Sequence, residues 1–130
     1  MATFLLDTSV IIDAINGKRN RNQLLQELVR EGHLLACCAI NVTEVYAGLR
    51  AHEEARTLSL LESLKYYSIP WEAARLAGEL RRDFGRKGVT LATTDVMIAA
   101  VALHYELILI TDNLKHYPMR ELTLYPLPNA

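Results

Sequence analysis

Five aspartates occur in the sequence, at positions 7, 13, 83, 95 and 112, and three of them sit where solvent exposure alone would not put them. Asp7 ends the apolar run Phe4-Leu5-Leu6. Asp112 closely follows the apolar run Leu107 to Ile110, and Asp95 opens the almost wholly apolar stretch Val96 to Leu103. Carboxylates gathered in one place repel one another, and burying them together is costly without a cation. Hard divalent ions such as Mg2+ or Mn2+ take oxygen ligands, commonly one or two carboxylates plus waters. Such an ion polarises a phosphoryl oxygen and lowers the pKa of a bound water, while a pair of ions clamps the attacking and leaving oxygens of a phosphodiester. Each acid also has a plainer reading. Asp7 can help a strand turn into a helix capped by Ser9, and Asn41-x-x-Glu44 has the form of a capping box. Asp95, after a cap at Thr94, complements a helix dipole, and Asp112 can form a turn with its own backbone.

Other chemistries fit these residues less well. His33, His52, His104 and His116 include no HExxH pair, and the adjacent Cys37-Cys38 lacks the CxxC spacing of a zinc site. No glycine-rich phosphate loop or GxSxG elbow is present. A phosphoacceptor receiver domain wants an aspartate on a middle strand, and the chain has none between Asp13 and Asp83. A phosphohydrolase of the HAD type wants a second aspartate at position 9, which is Ser9.

The elements that must position the acids alternate. Strands are expected at Phe4–Leu6, Leu34–Cys38, Tyr67–Ile69, Leu107–Ile110 and Leu122–Tyr125. Helices are expected from Ser9 to Asn16-Gly17, Arg21 to Glu31, from Asn41 on, about Glu53 to Leu64, Trp71 to Lys87, and from Thr94 through the apolar stretch to Leu103. This alternation argues for an α/β domain with a mostly parallel sheet, in which ligands bind at the carboxyl ends of the strands. Asp7 and Asp112 both fall there.

With 130 residues and 51% hydrophobic side chains, the chain is read as one packed domain, residues 1–130. The net charge of -1 excludes a basic nucleic-acid coat, so any contact with RNA needs local Lys/Arg patches or bound cations. The neighbouring cysteines read as small residues of a buried strand. No basic segment of a signal peptide follows Met1, and no apolar run is long enough for a bilayer, so a reducing cytoplasm and no membrane are expected.

Four segments taken together resemble PIN-domain motifs. They are Leu6-Asp7-Thr8-Ser9-Val10-Ile11-Ile12, Ile40-Asn41-Val42-Thr43-Glu44-Val45, Thr94-Asp95-Val96-Met97-Ile98-Ala99 and Leu109-Ile110-Thr111-Asp112-Asn113-Leu114-Lys115-His116-Tyr117. Their order and spacing resemble the VapC toxins of toxin–antitoxin pairs, over essentially the whole chain. The resemblance implies a three-layer PIN-like fold with a central, mostly parallel sheet flanked by helices. It also implies an Mg2+-dependent endoribonuclease, with Mn2+ as a substitute. The implied partners are the RNA substrate, a small cognate antitoxin and a second toxin chain in a homodimer. By position Asp7, Glu44 and Asp95 match the first three family acids and the metal ligands, and Thr111 matches a hydroxyl that accompanies them. The family's fourth acid falls at residue 113, which is Asn113; Asp112 stands one step early as the alternative. The same resemblance admits a PIN nuclease of RNA processing without a toxic role, or an inactive RNA-binding or regulatory module.

Cationic residues cluster at Lys18-Arg19-x-Arg21, Arg81-Arg82, Arg86-Lys87 and Lys115 to Arg120. Lys115 and His116, next to the fourth motif, are the candidates for phosphate contact. Tyr66, Tyr67 and Tyr117 are candidates either for packing or for stacking on bases.

Overall fold

A computed structural model describes residues 1–127 of the chain. The expected domain of residues 1–130 therefore includes three positions, 128–130, outside the described residues. Five strands form one sheet: β1 (Thr3–Leu6), β2 (Leu34–Cys38), β3 (Lys65–Tyr67), β4 (Ile108–Thr111) and β5 (Thr123–Pro126). Their order is β3-β2-β1-β4-β5, and every pairing is parallel. Six helices flank it: α1 (Thr8–Ile15), α2 (Arg21–Arg30), α3 (Ala39–Ala47), α4 (Glu54–Ser63), α5 (Trp71–Arg86) and α6 (Thr93–His104). This is the three-layer PIN-like α/β arrangement expected from the sequence.

Strand side chains alternate between faces, and the two faces carry two separate cores. Leu5, Ala36, Cys38 and Leu109 pack with Ala73, Ala77, Val96 and Ile98 of α5 and α6. Phe4, Leu6, Cys37 and Ile110 pack with Val10, Leu25, Leu28, Val45 and Leu61 of α1 to α4. Cys37 and Cys38 thus point to opposite sides of the sheet, and both are free thiols. Helix α6 has residues Val96 and Ile98 to Ala102 buried in turn, which is why its sequence is apolar nearly all round.

Strand β3 runs two residues earlier than the expected Tyr67–Ile69. Its register with β2, Ala36 opposite Lys65 and Cys38 opposite Tyr67, ends the pairing at Tyr67. Ile69 keeps its apolar role by packing on the core from the connection to α5.

Connectivity determines where a site can form. From β1 the chain passes through α1 and α2 to β2, on one side of β1. From β3 it passes through α5 and α6 to β4, on the other side of β1. The carboxyl ends of β1 and β4 are therefore adjacent while their connections depart in opposite directions. A doubly wound sheet opens a crevice at such a switch point.

Candidate active site

Asp7 stands at the end of β1 in that crevice, 5% exposed. Its backbone N–H donates to Ile110 O of β4 at 2.9 Å, which ties the two strand ends together. The residue itself caps α1: its Oδ1 accepts from Thr8 N at 2.8 Å, so the expected cap at Ser9 is corrected by two residues to Asp7. Ser9 lies inside the helix, and its hydroxyl makes no hydrogen bond. The other oxygen of Asp7, Oδ2, accepts from the Thr111 hydroxyl at 2.7 Å. Both oxygens are thereby oriented by donors from two different elements.

Glu44 is not part of a capping box. Helix α3 begins at Ala39, and Asn41 is already inside it; its Oδ1 accepts from Cys38 N at 2.8 Å and so satisfies the helix start. Glu44 is left to face the crevice, where its Oε1 accepts from the Thr8 hydroxyl at 2.7 Å. That hydroxyl also accepts from Asn41 Nδ2 at 3.1 Å. The wholly buried Asn41 and the largely buried Thr8 thus link α1 to α3 and present Glu44 to Asp7. Thr8 and Asn41 act on the site through this chain, and the sequence signal for it was only their adjacency to the motif acids.

Asp95 enters from the first turn of α6. Burial pushes its carboxyl above the usual aspartate range; nearby His116 pulls the other way, and the negative charges of Asp7 and Glu44 push it up again. The three carboxylates therefore share one field. His116 Nδ1 lies 3.3 Å from Asp95 Oδ2, an ion pair only when the imidazole is protonated. Tyr117 is a core residue, 2% exposed, with its hydroxyl 3.5 Å from Asp95 Oδ1. Burial and the charges of Asp7 and Asp95 drive its hydroxyl far above the ordinary tyrosine range, so it remains a neutral donor. It is thus buried beside the acids, where it cannot serve as an exposed stacking platform. Lys115 and His116 stay exposed at the rim.

Asp112 and Asn113 part company at the end of β4. Asp112 turns away from Asp7: its Oδ1 accepts from Arg21 Nη2 at 2.6 Å and lies 3.3 Å from Arg19 Nη1. Asn113 instead keeps its backbone on the site, its N–H donating to the Thr111 hydroxyl at 2.9 Å. Arg21, from the cationic cluster Lys18-Arg19-x-Arg21, is 1% exposed. A guanidinium that far from water needs a carboxylate beside it, and Asp112 supplies one.

Among the described residues, no three carboxylate, histidine or cysteine groups close into a ready-made metal cage. The donor set nonetheless suits a hard cation. It consists of oxygens only, and the upward push that Asp7 and Glu44 exert on Asp95 is the surplus negative charge that a divalent ion relieves. Mg2+ commonly takes one or two carboxylates and completes its shell with water, so a closed cage is not required.

A family model for the PIN domain matches residues 4–121, a span that contains every one of these side chains. The chain belongs to the PIN-domain family. Ribonuclease VapC10 of Mycobacterium tuberculosis (strain ATCC 25618 / H37Rv) is 30% identical to this PIN domain over 117 residues, 90% of this chain and 87% of that protein. Ribonuclease VapC19 of the same strain is 29% identical over 115 residues, 88% and 92% of the two chains. In fold, this PIN domain is similar to a chain in the crystal structure of VapBC2 from Rickettsia felis bound to a DNA fragment from their promoter. The TM-score is 0.84 at 22% identity, covering 95% of this chain and 97% of that one.

Proposed function

We propose that this chain is the ribonuclease toxin of a toxin–antitoxin pair, an Mg2+-dependent endoribonuclease that accepts Mn2+ as a substitute. The observation that carries the reading is the meeting of Asp7, Glu44 and Asp95 at the sheet's switch point, in a PIN domain whose relatives are named Ribonuclease VapC. Asp7, Asp95 and Glu44 are the residues that would hold the ion. When bound, such an ion supplies an activated water and offsets charge on the phosphodiester.

The chain's own residues do the rest. Thr8 N–H and the Thr111 hydroxyl fix the two oxygens of Asp7, and the Thr8 hydroxyl fixes Glu44. Asn113, whose amide rests on Thr111, completes the site in place of a fourth acid, since Asp112 is engaged by two arginines. Lys115 and His116, exposed at the rim, receive the RNA phosphates. The partners on this reading are RNA, a small antitoxin that occludes the crevice, and a second copy of the chain, all in the cytoplasm. Among the described residues, no helix is long and apolar enough to cross a membrane.

Expression of the chain alone is expected to arrest growth, and co-expression of a small protein encoded beside it to relieve the arrest and co-purify. Asp7→Asn is expected to be harmless. Arrest that persists with Asp7→Asn, or wild-type expression that neither slows growth nor cleaves RNA, contradicts the reading.

A further inference from the structure

The tie between Arg21 and Asp112 joins two loops that approach the crevice from outside. Arg21 opens α2, and the chain reaches it through Arg19 and Asn20, both with left-handed backbone (φ 56° and 57°). Two successive non-glycine residues in that region are unfavourable, and surrounding contacts must hold them there. The contacts are evident: Arg21 Nη1 donates to Arg19 O at 3.2 Å, and Asp112 accepts from Arg21 and forms an ion pair with Arg19. The shape of this loop delivers one buried guanidinium to one carboxylate.

Stability alone does not call for such an arrangement. A buried ion pair loses hydration, and a well-packed apolar pair of similar volume does as well or better. What the pair adds is direction. Thr111, Asp112 and Asn113 are consecutive, and their groups are held from opposite sides. The Thr111 hydroxyl points in to Asp7, the Asp112 carboxylate points out to Arg21, and the Asn113 amide returns to the Thr111 hydroxyl. Rotation of this turn in either direction breaks one of the three contacts. The outward pull on Asp112 also keeps a fourth negative charge off Asp7, Glu44 and Asp95.

We propose that Arg21 is a positioning residue for the carboxylate site, acting through Asp112 to hold the Thr111–Asn113 turn against Asp7. The proposal rests on the nuclease reading above and adds to it a residue outside the four motifs. Groups that orient a metal's ligands typically change ion affinity or activity by about ten- to a hundredfold when removed. Arg21 stands one contact further out, so a loss of about three- to tenfold is expected on that scale.

The test compares wild type, Arg21→Met, Arg21→Lys and the volume-matched double variant Arg21→Met/Asp112→Leu. Three quantities are read: the thermal midpoint, Mn2+ affinity by electron paramagnetic resonance of free Mn2+, and kcat and KM on a short RNA. The double variant is expected to stay folded with a midpoint at or above that of Arg21→Met, while Mn2+ affinity and kcat fall about three- to tenfold and KM holds. Arg21→Lys, which keeps the charge but not the two-armed contact, should fall between. A folded double variant with wild-type Mn2+ affinity and kcat overturns the proposal. Tighter Mn2+ binding in Arg21→Met also overturns it, since that result makes the released Asp112 a ligand. Loss of the fold in all three variants overturns it in favour of a purely structural pair. If the wild type itself binds no Mn2+ and cleaves no RNA, the nuclease reading fails first and this proposal falls with it.

Discussion

The Thr111 hydroxyl donates to Asp7 Oδ2 at 2.7 Å, joining residues 104 positions apart at the ends of adjacent strands. The Thr111 hydroxyl oxygen in turn accepts from Asn113 N–H at 2.9 Å, so one buried side chain orients an acid and a turn together. Thr111→Val keeps the shape and removes both contacts. It is expected to lower unfolding free energy by about 1–2 kcal/mol in urea titration. Ion-dependent cleavage should fall by about ten- to a hundredfold, since the oriented oxygen belongs to an acid of the site. Unchanged cleavage would mean that Asp7 is held well enough by Thr8 alone.

Glu44 and Asn41 separate function from folding. Glu44→Gln retains an acceptor oxygen for the Thr8 hydroxyl, so stability should stay within about 0.5 kcal/mol of wild type while cleavage is lost. Asn41→Ala removes the acceptor at the start of α3 and a donor to Thr8, and should destabilise by about 1–3 kcal/mol. A Glu44→Gln variant as unstable as Asn41→Ala would mean that the charge of Glu44 itself supports the fold.

The two residues also mark what the sequence does and does not reveal. Phe4-Leu5-Leu6 ending at Asp7 is legible because a buried parallel strand needs a continuous apolar run, and an acid there requires a reason. Helix α6 is legible because its apolar residues recur on all sides. The partner of Glu44 is not legible: a hydroxyl 36 residues away becomes its neighbour only after α1 and α3 pack. Local spacing suggested a capping box, and the box closed instead between Cys38 and Asn41. The burial of Arg21 is not legible for a similar reason. A cation at a helix start is solvated unless a distant carboxylate draws it in, and Asp112 lies 91 positions on. Tyr117 likewise shows no local sign that its hydroxyl faces two acids.

Asp95 carries a stability cost with a definite sign. Burial raises its folded-state pKa above the unfolded value, so the folded chain holds that proton more tightly. As pH rises from the unfolded pKa through the folded one, stability is lost, and it stays lower at neutral pH. Asp95→Asn removes the cost. In EDTA at neutral pH this variant should melt above wild type, and the difference should vanish when pH falls below the carboxylate range. Mg2+ should then raise the wild-type midpoint and leave that of Asp95→Asn nearly unmoved. The linkage contributes about 2.7 kcal/mol at a hundred times Kd. A wild type already more stable than Asp95→Asn in EDTA contradicts this account.

Cys37 and Cys38 should be inert in the folded chain. Burial, with a smaller push from Cys38, raises the Cys37 thiol to about 11, and burial raises Cys38 as well. The nucleophile is the thiolate, so iodoacetamide at pH 7.5 should modify neither residue in buffer and both in urea. Native modification at a rate comparable to the unfolded chain would contradict the packing of β2 against both cores.

The account turns on the three carboxylates acting as one ion-dependent nuclease site, and cleavage of a defined RNA by purified protein tests that most directly. With Mg2+ or Mn2+ the wild type should yield discrete products, EDTA should abolish them, and Asp7→Asn should yield none with either ion while remaining folded. Cleavage that survives EDTA, or that Asp7→Asn carries out at the wild-type rate, would contradict it.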